Sequence, residues 1–432
     1  MNQAHATARR LLPAIIAALA FALLLPGSAA AKQKGHHHGP GKAKVVRHHH
    51  HGHGHHGHGK GHRHGKGHGN HGKDRGHGKV AGVMTRNVYL GADLTPAISA
   101  PSLEAFIDAN GQILREVTLN DFPTRAEGLA EEILETKPDL VGLQEVALWR
   151  TGPPSLAPLS TGPSATTVRY DYLQILLDEL NAGKGQSGHG RPRYNVVISQ
   201  NEFDLEAPAD ENGVAGDGPG GPLADAEING RLTMRDVILA REGAGVRTWN
   251  EQSANFATVL PVKILGATVP VVRGWTATDA KVRGTHPFRF VNTHLEAFEP
   301  NIRALQAAEL VAPSGPATSE LPVVLVGDLN SDDDTVTGAD TLAYNVLLGA
   351  GMVSRSTNDP LSCCLNSSLL AVKAAEEAGA GPADFDHQVD HILTRDPDQV
   401  TLKSSTVTGL QPVNGFWNSD HAGVFSELRF QR

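Results

Sequence analysis

LPVVLVGDLN, residues 321–330, decides how the rest of the chain reads. Val323, Val324, Leu325 and Val326 follow one another with no polar alternation. A short β-branched run of that kind reads as a strand buried on both faces. It ends abruptly in Asp328 and Asn330. A rigid sheet holds a carboxylate and an amide at such a strand end and aims them at whatever lies beyond its edge.

The same grammar recurs outward in both directions. VMTRNVYL (83–90), LVGLQEV (140–146), FVNTHLEA (290–297), QVDHIL (388–393) and NSDHAGVF (418–425) each set apolar residues beside polar ones. The polar residues are Asn87, Gln144–Glu145, Asn292–His294, Asp390 and Asp420–His421. Cleavage of a phosphate ester needs this inventory. A hard cation needs oxygen ligands, and Glu145 supplies a carboxylate. A water must be aimed or deprotonated, as Asp328 can do. Charge on the phosphoryl oxygens needs donors, available from Asn87, Asn330, His294 and His421. Asp390 can fix the tautomer of an imidazole.

Further strands are predicted at 80–90, 194–203, 235–241, 257–265, 268–277, 404–410 and 422–430. Helices are predicted at 102–118, 124–136, 169–181 and 300–312. Thr124 is the expected N-cap of the second helix, with Glu127 as its box residue. Many apolar strands with interspersed helices predict an α/β fold: a four-layer α/β sandwich, two packed mixed β-sheets flanked by helices. Segments 150–168, 182–193 and 204–230 read as long loops that shape access to a substrate.

The first 80 residues read differently. Residues 1–31 carry Arg9 and Arg10, an apolar run from Leu11 to Leu25 and small residues at 29–31, the pattern of a secretory signal peptide. The chain is therefore expected to be secreted. Residues 32–80 hold 16 of the 23 histidines and no Phe, Trp or Tyr. That composition cannot offset the entropy of ordering, so a disordered tail is expected. Its imidazoles suit Zn²⁺, Ni²⁺ or Cu²⁺, which makes transition-metal binding the alternative to a solvated spacer. Residues 81–432 are left as one catalytic domain. It carries 25 Lys and Arg against 45 Asp and Glu, a charge of −20. Such a surface disfavours tight nucleic-acid binding and is compatible with recruiting cations to an acidic cleft.

The ordered series of motifs resembles that of the endonuclease/exonuclease/phosphatase superfamily, which includes deoxyribonucleases, sphingomyelinases and inositol-phosphate phosphatases. The resemblance spans about 80–432. It implies a Mg²⁺ site (or Mn²⁺ or Ca²⁺) with Glu145 as principal ligand, Asn87 beside it and Asp420 as the late carboxylate. It implies His294 and His421 on the phosphate, Asp328 and Asn330 orienting water and substrate, and Asp390 behind His421. Tyr89 departs from the family pattern, where a second polar residue is common. His391 replaces a frequent aromatic residue. Arg303, Gln306 and Glu309 are expected to be structural.

The substrate is expected to be a phosphodiester, either nucleic acid or a phospholipid headgroup. A sphingomyelinase-type lipid enzyme, a phosphomonoesterase and a non-catalytic metal-binding surface protein are the alternatives. No feature points to a stable protein partner. Asp236, in RDVIL, reads as an edge-strand solubiliser. His286 and His387 read as solvated, and Trp149, Trp275 and Trp417 as core or loop anchors. The adjacent Cys363 and Cys364 read as two free, partly buried thiols.

Overall fold

The computed structural model describes residues 79–156, 163–182, 193–243, 245–333, 339–356, 361–371, 385–396 and 398–431. The expected signal peptide and nearly all of the His-rich tail lie outside the described residues. Among them no helix is long and apolar enough to cross a membrane.

The chain runs β1 (Lys79–Asn87), α1 (Leu103–Leu119), α2 (Phe122–Thr136), β2 (Leu140–Gln144), β3 (Leu148–Gly152), β4 (Thr167–Asp171) and α3 (Tyr172–Asn181). Then follow β5 (Tyr194–Ala209), β6 (Ile228–Arg241), β7 (Arg247–Asn255), β8 (Leu260–Ile264), β9 (Ala267–Val271), β10 (Gly274–Lys281) and β11 (Phe288–His294). The last part is α4 (Pro300–Val311), β12 (Val323–Asp328), α5 (Leu342–Gly349), β13 (Val353–Ser354), β14 (Asp390–Arg395), β15 (Val400–Thr408) and β16 (Gly423–Phe430).

The first sheet has the order β15-β16-β1-β2-β6-β3-β4, with β5 paired to β6; the second is β13-β14-β12-β11-β10-β7. Both are mixed. β1 pairs parallel to β2 and antiparallel to β16. β12 pairs parallel to β11 and antiparallel to β14.

Alternate residues of one strand serve different layers. Val324 and Val326 meet Ala81, Val83, Leu140 and Ile238 of the first sheet in one buried cluster. Val323 and Leu325, between them, face the other way and pack with Ala307 and Leu310 of α4 and Leu347 of α5. On the far side, Val141 and Leu143 pack with Phe106 and Leu114 of α1 and Leu129 and Ile133 of α2. The layers are therefore helix, sheet, sheet, helix, the four-layer α/β sandwich expected from strands that lack polar alternation.

Gly142 shows how closely the sheets approach. A Cβ there would stand 2.5 Å from both Asn292 Oδ1 and Val326 Cγ2 of the opposite sheet. Gly142→Ala is expected to cost about 1–3 kcal/mol through overpacking. A urea midpoint equal to that of the wild type would contradict this.

Several local expectations are corrected. α2 begins at Phe122, with Pro123 in its first turn and Asp121 before it. Thr124 is inside the helix and donates to Asp121 Oδ2 at 2.7 Å. Proline at a first turn sets the start, because its missing N–H loses no helical bond there. The single strand expected over 268–277 is two. β9 pairs with β8 as a separate hairpin, while β10 joins the second sheet. The loops expected at 150–168 and 204–230 hold parts of β3, β4, β5 and β6. These strands mix small, polar and charged residues with few large apolar ones, and so give little periodic signal. β7 and α5 were not anticipated.

Candidate active site

β1, β2, β11 and β12 all end, and β14 begins, at one edge of the paired sheets. Asn87 is the last residue of β1, and its Nδ2 donates to Asp328 Oδ2 at 3.0 Å. Its Oδ1 accepts the Tyr89 N–H at 2.9 Å, so both ends of the amide are engaged. Glu145 follows β2 with a positive φ of 57° and accepts the Leu90 N–H at 2.8 Å through Oε2. Its Oε1 faces His294 Nε2 at 4.0 Å. Asp328, at the end of β12, lies 3.4 Å from His294 Nε2 and 3.7 Å from His421 Nε2. Its Oδ1 accepts the Asn330 N–H at 2.9 Å. Asp390 Oδ2 stands 2.8 Å from His421 Nδ1. All eight residues expected to act together lie around this edge, with Asp420 next to His421.

The two histidines are electrostatically opposite. Burial lowers His294 well below the usual imidazole value, with Arg273 and His421 adding to the effect. Arg273 Nη1 lies 3.0 Å from His294 Nδ1. A guanidinium can only donate, so Nδ1 accepts and the proton of the neutral ring sits on Nε2. Asn330 Nδ2 donates to Leu295 O at 3.0 Å and lies 3.1 Å from that same Nε2. Two donor nitrogens therefore lie side by side. Burial also works against a charged His421, but Asp390, Asp328 and Asp420 outweigh it and hold this imidazole well above its ordinary value. With Nδ1 on Asp390, the Nε2–H of His421 is the second outward donor.

The carboxylates crowd one another. Burial raises Asp420 to about 7, with Glu145 and Asp328 adding to it and His421 and Arg125 opposing. Burial also raises Asp328, against His421 and with Asp390. Glu145, Asp328 and Asp420 are thus a cluster of oxygen donors whose mutual repulsion a divalent cation would relieve. The donor set fits a hard ion such as Mg²⁺ or Mn²⁺.

The sequence profile of the Endonuclease/Exonuclease/phosphatase family matches residues 87–421. The chain belongs to that family. Solved structures similar to this family member include an endonuclease/exonuclease/phosphatase from Bacteroides vulgatus, at 15% identity over 82% of this chain and 100% of that one, with a TM-score of 0.45. TDP2 of D. rerio, in complex with a single-strand DNA product, is similar at 15% identity over 81% and 99%, with a TM-score of 0.43. A mannosyl-6-phosphatase of Bacteroides thetaiotaomicron is similar at 16% over 81% and 100%, with a TM-score of 0.43. Among curated proteins, none matches the sequence.

This family member carries a second acidic group behind His294. Asp236 is a correction: it is fully buried, and β6 is a central strand flanked by β2, β3 and β5 rather than an edge. Glu202, also buried, stands with it, and the ligand atoms of Glu202, Asp236 and His294 lie within 4.8 Å of one another. All four carboxylate oxygens of Glu202 and Asp236 are buried from solvent. Burial raises Glu202 from 4.5 to about 7, with Arg273 and Asp236 opposing, whereas burial and Glu202 together push Asp236 well above its usual range against Arg273. Glu202 and Arg273 were not singled out in the sequence. A lone Glu in QNEFD and a lone Arg after an apolar run carry no signal of burial.

The pH consequence has an unusual sign. Because these acids are raised, the folded chain holds protons that the unfolded chain has released. Stability is fully present below the unfolded values and falls as pH rises through the folded ones. In chelator-treated protein, Asp236→Asn should resist urea better than the wild type at about pH 8 and equal it only at or below about pH 4. A constant difference across that range would show that Asp236 does not titrate there.

The remaining expectations are placed as follows. Tyr89 donates from its hydroxyl to Ser367 O at 3.1 Å and is raised by burial beyond any working pH. His391 is fully buried, its Nε2 2.9 Å from Ser331 O, and its ring packs against Tyr344. Arg303 donates to Glu296 O at 2.6 Å and Gln306 accepts the Glu296 N–H at 2.8 Å, which pins the turn after His294. His286 is exposed, and His387, 43% exposed, lies 3.1 Å from Asp332. Trp149 and Trp417 are buried, and Trp275 is partly so. Cys363 and Cys364, expected as free thiols, are joined by a disulfide. The Ser362 and Cys363 N–H groups both donate to His387 O, which fixes the backbone that carries the two sulfurs.

Proposed function

We propose that this family member is a secreted, divalent-metal-dependent phosphodiesterase. The observation that carries the reading is the convergence of Glu145, Asp420, Asp328, Asn330, His294 and His421 at one strand edge. Glu145 and Asp420 would hold the cation, with Asn87 beside them. When bound, that cation supplies Lewis-acid polarisation of the phosphoryl oxygen and a more acidic water.

The chain's own groups do the rest. Asp328 Oδ2 takes the proton of the attacking water, held in aim by Asn87 Nδ2 and the Asn330 N–H. Its raised proton affinity brings it toward the working pH, where a general base is most effective. Asn330 Nδ2 and His294 Nε2–H, which lie side by side, donate to one phosphoryl oxygen. His421 Nε2–H receives another, its charge maintained by Asp390 behind it. The negative charge that develops on attack is met by donors already in position.

The test uses the purified full chain with plasmid DNA, sphingomyelin vesicles and a simple aryl phosphodiester, in Mg²⁺ and in EDTA. Metal-dependent nicking of DNA that disappears in Glu145→Gln would establish a nuclease. Cleavage of the vesicles alone would make the lipid the substrate. If no divalent cation supports cleavage of any diester, the proposal fails.

A further inference from the structure

The two cysteines take no part in the chemistry above, yet they rest against it. The sulfurs of Cys363 and Cys364 each lie 3.8 Å from His421 Nε2. That is the nitrogen left open once Nδ1 is bonded to Asp390. Cys363 is buried and Cys364 is exposed, so a thiol in solution reaches one sulfur of the pair without unfolding. The loop that carries them is tied to the same machinery. Ser362 Oγ accepts the Asp390 N–H at 3.3 Å. The Leu365 N–H donates to Asp420 O at 2.9 Å, and the Ala422 N–H to Ser362 O at 2.7 Å.

We propose that the reduced Cys363–Cys364 pair, with Nε2 of His421, forms a site for a thiophilic divalent cation of the zinc class, whose binding withdraws His421 from the phosphate. This rests on His421 facing the phosphate, as in the function proposed above. A dithiol reductant opens the site: its thiolate attacks Cys364 Sγ, Cys363 leaves as thiolate, and the second thiol resolves the mixed disulfide. Two electrons pass to the pair and the reductant leaves as its own disulfide. Each cysteine then gives up its proton as its sulfur binds the cation, and His421 gives up the proton on Nε2, so three protons are released.

The spacing suits this. Tetrahedral zinc, about 2.3 Å from sulfur and about 2.0–2.1 Å from nitrogen, sets the two ligands about 3.6 Å apart. The observed S···N distance is 3.8 Å. Only the sulfurs must part from each other, which reduction permits. Mg²⁺ and Ca²⁺ prefer oxygen and do not compete for thiolates. In the oxidised chain the sulfurs carry no charge and the site does not exist.

Cobalt(II) is the probe. Thiolate ligation gives an intense near-ultraviolet charge-transfer band that imidazole ligands do not give, so the His-rich segment contributes nothing to it. The full chain, reduced with a phosphine, should develop this band on titration; the oxidised chain should not. The band should vanish in Cys363→Ser and in reduced wild-type protein alkylated with iodoacetamide, and it should weaken in His421→Ala. A reduced chain without the band overturns the proposal. So does a band unchanged in Cys363→Ser, after alkylation, or in His421→Ala. Because the readout is absorption, it stands apart from whether the chain hydrolyses a diester.

Discussion

Asp328→Asn lowers kcat by roughly 10²–10⁴-fold and moves KM far less, the expected size for loss of a positioned general base. Asp328 is the side chain on which the site converges. It accepts from Asn87 Nδ2 at 3.0 Å and from the Asn330 N–H at 2.9 Å, and it lies 3.4 Å from His294 Nε2. Asparagine keeps the shape but offers the water no base. It also turns one end of the group into a donor, which faces another donor in Asn87 or Asn330. The substrate still meets His421 and the cation, so binding is largely kept. Steady-state kinetics on an aryl phosphodiester checks this. A KM raised in proportion, with kcat intact, would make Asp328 a binding group and move the base elsewhere.

Arg125→Met destabilises the chain by roughly 3–5 kcal/mol, the range for breaking up a buried charge and its partners. Arg125 is fully buried and donates to four carbonyls: Asn120 O at 2.8 Å, Val88 O at 2.9 Å, Asn418 O at 3.0 Å and Tyr89 O at 3.2 Å. Its guanidinium also lies 5.0 Å from the Phe122 ring centroid. Methionine fills most of the space and satisfies none of the carbonyls. Two of those bonds hold the turn whose Leu90 N–H binds Glu145, and another holds the segment that carries Asp420. Activity should therefore fall together with stability. Arg125→Lys keeps the charge but not the planar fork, and should lie between the two. Urea unfolding of the three proteins measures this. A loss in Arg125→Met under about 0.5 kcal/mol would place it with ordinary surface changes.

The layers and the main cleft were legible because both depend on local pattern. A strand such as 323–328, apolar at every position until Gly327, can only be buried on two faces. Asp328 after it, like Glu145 after 140–144, stands out by contrast. Groups whose importance comes from partners far along the chain gave no such contrast. Asp236 sits in RDVIL beside an arginine and reads as an edge-strand solubiliser, yet β6 is central and the carboxylate is buried. Arg125 reads as one more charged helix residue. Its four acceptors come from three separate segments. Glu202, Arg273 and the sulfur contact with His421 arise only from register between strands and loops that no periodicity encodes.

The pairing of β1 with β16 sets when this chain can fold. Lys79 lies opposite Phe430, and the first strand has its antiparallel neighbour at the far end of the sequence. Loop closure over such a span slows folding and delays the pairing that completes the first sheet. A ribosome that has made all but the last few residues holds a chain whose sheet still lacks a strand beside β1. Completion of the first sheet must therefore follow synthesis of the last strand. Until β16 is made, the edge of β1 turned away from β2 has its backbone groups without their strand partner.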